Sequence, residues 1–150
     1  MAEPLLIENE IVINASTDVI WDLLINPEKT KLYMYGCEVQ CDWNPGDQIL
    51  WIGSTDGVTY VKGTLVELDP EKRLVYTVID PQGAYADRPE NYLTVTYDLI
   101  SEDQGTRFKV SQGDYSKVAD GEKRYKESAD AGGWQSVLEK IKEIAETAIS

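Results

Sequence analysis

The chain has 150 residues, enough for one domain whose core buries roughly two-thirds of the unfolded surface, so a single domain over residues 1–150 is expected, without disulfide or metal staples. Its 27 acidic against 14 basic residues give a formal charge of −13, a field that repels nucleic-acid phosphates and anionic headgroups, so neither nucleic acid nor membrane is an expected partner. No apolar run approaches the ~20 residues of a membrane span, and MAEPLLIENE lacks the basic start and apolar core of a secretory signal, so the expected location is the cytoplasm.

Residues Leu6 to Asn14 alternate loosely and read as a strand. The period then changes in NASTDVIWDLLINPEKTKLYMYG. Ser16 can cap a helix with Asp18 in its first turn, Val19, Ile20, Leu23 and Leu24 on its inner face and Trp21 beside them. Asn26-Pro27 ends that helix and starts a short second one to about Tyr33, because proline suits a first helical position and the residue before it resists helical geometry.

Strands with turn chemistry between them follow: CEVQCDW, the turn NPGD, QILWIG, the turn STDG, TYVKGTLVELD, the turn PEKR, and LVYTVID. After the long segment DPQGAYADRPENY, the strands NYLTVTYDLI and TRFKVSQGDY flank the turn SEDQG. Six successive strands make an antiparallel meander, and the first strand brings the sheet to seven. Cys37 and Cys41 lie four residues apart on an extended segment, about 13 Å between Cα atoms at the usual strand rise and beyond the ~7 Å reach of a disulfide. They read as free thiols, and a zinc site is disfavoured further because the chain has no histidine.

Alternation picks out the covered face: Leu93, Val95, Tyr97 and Leu99, then Phe108 and Val110, with Leu74, Tyr76, Val78, Val61, Gly63 and Leu65 by the same logic. Ile49 and Trp51 read as inward but share their strand with Leu50 and Ile52. The last segment, AGGWQSVLEKIKEIAETAIS, places Trp134, Val137, Leu138, Ile141, Ile144, Ala145 and Ala148 on one stripe of a helix that needs an apolar partner, and the sheet's dry face supplies it. Gly132 and Gly133 either permit close approach to the sheet or break the helix from the preceding DGEKRYKESADA.

The sequence as a whole resembles the activator-of-heat-shock-ATPase-like family of the START-like (birch-pollen-allergen-like) superfamily. The resemblance rests on NASTDVIWDLLINPEKTKLYMYG, on NPGDQILWI, on the hairpin KGTLVELDPEKRLVYTV and on GGWQSVLEKIKEI, in the family's order across nearly the whole chain. It implies an α+β helix-grip fold: a curved seven-stranded antiparallel sheet, two small helices and a long carboxy-terminal helix. It also implies a cavity between sheet and helix, bounded by Trp134, Leu138, Tyr76, Tyr97 and Phe108. Two departures fall where such a cavity would feel them: Tyr33-Met34-Tyr35 stands where relatives often carry paired tryptophans, and Val78 where many carry an aromatic.

Trp134 reads either as a core anchor and cavity wall or as a ligand contact. Tyr60, Tyr76 and Tyr97 are apolar plates with polar tips, whose hydroxyls can meet a ligand or a backbone carbonyl. Tyr85, central in its long loop, can close a cavity mouth, the plainer alternative being a solvated loop around Asp87 and Arg88. With Trp51, Val78, Phe108 and Leu138 these make the candidate ligand-binding set. Asp114, Asp120 and Glu122 read as a solvated acidic face. Without histidine, phosphate loop or serine elbow, no catalytic residue, metal ligand or cofactor is assigned.

Three functions are open. The first is binding of a small apolar or amphipathic molecule in the cavity by a monomer or homodimer. The second is a partnership with a heat-shock chaperone, against which stands the additional amino-terminal domain of the better-known eukaryotic activators. The third is a cyclase-like or hydratase-like enzyme using cavity Tyr, Asp or Glu, which needs a carboxylate facing the cavity.

Overall fold

The computed structural model describes residues 5–34, 36–79, 91–103, 105–113, 115–118 and 121–148. Strand β1 (Ile7–Ile13) leads into helices α1 (Thr17–Ile25) and α2 (Pro27–Thr30). Six strands follow: β2 (Cys37–Gln40), β3 (Gln48–Gly53), β4 (Thr59–Asp69), β5 (Arg73–Val78), β6 (Leu93–Glu102) and β7 (Gly105–Gly113). After a 3-10 turn (Tyr115–Lys117) come α3 (Gly121–Asp130) and α4 (Gln135–Ala148). All pairings are antiparallel in the order β1-β7-β6-β5-β4-β3-β2, so the meander bonds neighbour to neighbour and β1 joins outside β7. This is the α+β helix-grip fold, with α4 held by the sheet.

Local chemistry explains the joints. Ser16 stands at the N-cap of α1 in extended geometry, but its hydroxyl bonds the Asp18 carboxylate instead of a backbone N–H. Asn26 caps α2, accepting from the Glu28 N–H at 3.0 Å, with Pro27 in the first turn. Thr30, wholly buried, donates to the Cys37 carbonyl at 3.1 Å and accepts from the Val39 N–H at 3.0 Å, fixing α2 against β2. Register shifts at Trp51/Ile52 and at Leu65/Glu67 leave one extra residue each on β4, Tyr60 and Val66, as bulges do. Between them Gly63 runs so close to β5 that a Cβ there would sit 1.6 Å from the Thr77 carbonyl oxygen.

The sheet's concave face and α1 enclose one core with α4. Ile20, Leu23 and Leu24 of α1, Ile49 and Trp51 of β3, and Leu65, Leu74, Tyr97 and Phe108 are buried in it. Val137, Leu138, Ile141 and Ala145 of α4 meet them, and burying a Leu or Ile side chain contributes about 1.5–3 kcal/mol each by area. At the far end of α4, Lys142 donates to the Val12 carbonyl at 3.1 Å and Glu146 accepts from the Asn14 N–H at 2.9 Å, tying the helix to the exit of β1.

The glycines answer to both readings. Gly132 (φ +94°) and Gly133 (φ +59°) are left-handed and separate α3 from α4. At Gly133 the backbone also approaches β1 so closely that a Cβ would stand 2.6 Å from Ile7 Cγ2. Helix α3 itself is an addition to the three expected: its sequence, GEKRYKESAD, has no apolar stripe, and Tyr125 anchors it by an edge-on contact with Tyr115, centroids 5.9 Å apart. β7 ends at Gly113, two residues short of the expected boundary at Tyr115. Tyr35, Tyr85, Asp87, Arg88, Asp114 and Asp120 lie outside the described residues; Glu122 is in the first turn of α3.

Candidate ligand cavity

Between the concave face of the sheet and the α3–α4 junction lies a cavity of about 540 Å³. Its walls are aromatic and aliphatic: Trp51, Tyr60, Tyr76 and Trp134, with Val78 and Val95 between them. Inward alternation on β3, β5 and β6 puts Trp51, Tyr76, Val78 and Val95 there, while Tyr60 comes in as the unpaired residue at the β3–β4 register shift and Trp134 from the turn before α4. Trp51 and Tyr76 lie 6.2 Å apart between ring centroids, and Tyr97 stands edge-on to both Tyr76 (5.4 Å) and Trp134 (5.8 Å).

Trp134 is held from two sides. Its backbone N–H donates to Asn9 Oδ1 at 3.0 Å, and its indole N–H donates to Gln112 Oε1 at 2.8 Å. The Gln112 amide oxygen is thereby engaged by the indole, and the side chain lines the cavity beside Trp134. Deeper in, the Tyr76 and Tyr97 hydroxyls bond one another at 2.6 Å, and Tyr33 donates to the Leu23 carbonyl at 2.6 Å. Burial pushes all three phenols above their ordinary range, so they stay neutral.

The mouth is polar. In the β3–β4 turn, Asp56 Oδ1 accepts from the Val58 N–H at 3.0 Å and Oδ2 accepts from the Tyr60 hydroxyl. The Tyr60 bond, then that backbone bond, hold the Asp56 carboxyl below its usual range, and the same contact raises Tyr60. Gly53 makes this possible: a Cβ there would stand 2.2 Å from Asp56 Oδ1 and 2.9 Å from the Tyr60 ring. Cys37, paired with Gly53 across β2 and β3, also lines the cavity. Burial first, and the Asp56 charge second, push its thiol up, and burial does the same to Cys41; both are free and poorly nucleophilic. Among the described residues no group of three His, Cys, Asp or Glu side chains could hold a metal ion.

Of the candidate residues, Trp51, Tyr60, Tyr76, Val78 and Trp134 line the cavity together. Tyr97, Phe108 and Leu138 lie behind that surface in the core, Tyr97 packing on Phe108 at 5.5 Å, and Tyr85 is outside the described residues. Gln112, Asp56, Cys37 and Ser128 are lining residues the sequence reading did not single out. Gln112 had a signal: it continues the inward set of Phe108 and Val110, so a polar residue falls on the dry face.

The sequence matches the profile of the family described as Activator of Hsp90 ATPase homolog 1-like protein over residues 14–146. The chain belongs to this family. Among solved structures it is similar to protein ChR145 of Cytophaga hutchinsonii, with 34% identity, 99% of each chain covered and a TM-score of 0.77. The Aha1 dimer of Colwellia psychrerythraea is similar at 16% identity, 94% and 96% coverage and a TM-score of 0.70. So is PFC0360w, an HSP90 activator of Plasmodium falciparum, at 16% identity, 93% and 94% coverage and 0.65. These last two show the fold alone. No curated protein is significantly similar to the chain. Of the residues at which the sequence resemblance led other side chains to be expected, Met34 and Val78 line the cavity, while Tyr33 packs into the core.

Proposed function

We propose that this chain binds a small apolar or amphipathic molecule between sheet and terminal helix. The observation that carries the reading is the cavity of about 540 Å³ walled by Trp51, Tyr76 and Trp134, with few polar side chains among its lining. Ligand pockets are commonly of this size and make-up, about 300–1,000 Å³ with few placed polar groups. An apolar, environment-sensitive dye should bind the native protein at one saturable site and raise its melting temperature by mass action. Native mass spectrometry of freshly purified protein should find a retained small molecule. If no dye binds and nothing is retained, the reading fails.

A chaperone partnership is supported by the family's description, and stimulation of a heat-shock ATPase by the purified protein tests it. The enzyme reading has weaker support: among the described residues Asp56 is the carboxylate at the cavity, and a carboxyl held below its usual range is a poor general base and a worse general acid at neutral pH.

A further inference from the structure

Among the described residues lining the cavity, Asp56 is the one charged side chain, and no Lys or Arg is among them. Four aromatic side chains, Trp51, Tyr60, Tyr76 and Trp134, form the walls, and indole and phenol faces attract cations through the ring quadrupole. The Val58 N–H and the Tyr60 hydroxyl occupy two of the roughly four acceptor positions of the Asp56 carboxylate, leaving the others for a guest. Tyr60 also locks the carboxylate's orientation. A guest with an anionic head would meet this carboxylate with no lining cation to pair with, and would lose hydration without compensation. The chain's formal charge of −13 acts in the same direction at long range.

We propose that the cavity selects organic cations: amphiphiles with an apolar body seated among Trp51, Tyr76 and Trp134 and an ammonium head seated at Asp56 in the mouth. This rests on the ligand-binding reading above and narrows it to a chemical class.

Three probes with one apolar body separate the two claims: naphthylethylamine, naphthylethanol and naphthylacetate, titrated by calorimetry against the wild-type protein and Asp56→Asn. The amine should bind about tenfold tighter than the alcohol, as an exposed ion pair and cation–π contacts together allow, and the acetate weakest. In Asp56→Asn the amine should lose most of its preference over the alcohol, keeping only what the aromatic faces supply, while the alcohol still binds, which also reports that the variant is folded. Alcohol binding with no preference for the amine overturns the cation proposal and leaves the cavity reading standing. An amine preference that survives undiminished in Asp56→Asn overturns the role of Asp56. Absence of binding by all three overturns both readings together. Should Asp56→Asn not fold, the wild-type amine-to-alcohol ratio decides: it falls with added salt if an ion pair sets it, and a salt-independent ratio overturns the proposal.

Discussion

The indole N–H of Trp134 donates to Gln112 Oε1 at 2.8 Å, and this bond joins the head of α4 to the end of β7 across the cavity wall. The tryptophan is half-buried, so one of its faces packs and the other borders the cavity. Trp134→Ala should therefore cost about 2–3 kcal/mol, below the range for a fully buried tryptophan, and Trp134→Phe about 1 kcal/mol for the lost hydrogen bond with most of the packing kept. Denaturant midpoints of the two variants check the order; equal losses would show that the indole bond contributes most of the effect.

The buried Tyr76–Tyr97 hydroxyl pair predicts a non-additive cycle. Each single Phe substitution strands the remaining hydroxyl and should cost about 1–2 kcal/mol, whereas the double Phe variant should cost less than the sum. Equilibrium unfolding of the four proteins measures the coupling, and additive losses would contradict the pairing.

Gly132 and Gly133 should differ when changed to Ala. Both pay the left-handed penalty of about 1–2 kcal/mol, but a Cβ at Gly132 meets open space and one at Gly133 meets Ile7 and Asn9. Gly133→Ala should lower the melting temperature more, and the reverse order would place the close approach elsewhere.

Glu146 links stability to acid. The Lys142 ammonium first, and the Asn14 N–H second, hold its carboxyl below the usual range in the folded protein. A depressed folded value means that its contribution is complete above the unfolded value of about 4.3 and is lost as pH falls through the lower folded value. The stability difference between wild type and Glu146→Gln should thus be level from about pH 7 to 5 and shrink below about pH 4. Relief of the net negative charge on acidification affects both proteins alike and cancels in the difference.

Thiol labelling should count two groups in the unfolded chain and react slowly with both in the native one at neutral pH, Cys41 ahead of the more buried Cys37. Because Cys37 borders the cavity, a bound guest should slow it further and leave Cys41 unchanged.

Strand positions were legible because one face of the sheet is dry, and period-two alternation records that directly in Leu93, Val95, Tyr97 and Leu99. The same signal cannot tell depth. Tyr76 and Tyr97 both point inward, yet one borders the cavity and the other backs it from the neighbouring strand. Asp56 was hidden for another reason: its place depends on a close approach to Gly53 within the turn and on the register shift beside it, and alternation records neither. Helix α3 escaped notice since a polar helix lying over its neighbours carries no periodic apolar record.

The Tyr76–Tyr97 pair has two hydroxyl hydrogens and one bond between its oxygens, and either phenol can be the donor. Turning both hydrogens about their C–O axes converts Tyr76 from a group that accepts into one that donates, without displacing a heavy atom. A guest carbonyl that reaches this oxygen would be received when Tyr97 donates to Tyr76, and a guest hydroxyl when Tyr76 donates to Tyr97. Under the ligand-binding reading, discrimination by hydrogen-bond polarity would then fall to the rim, where Tyr60 fixes the Asp56 carboxylate as an acceptor.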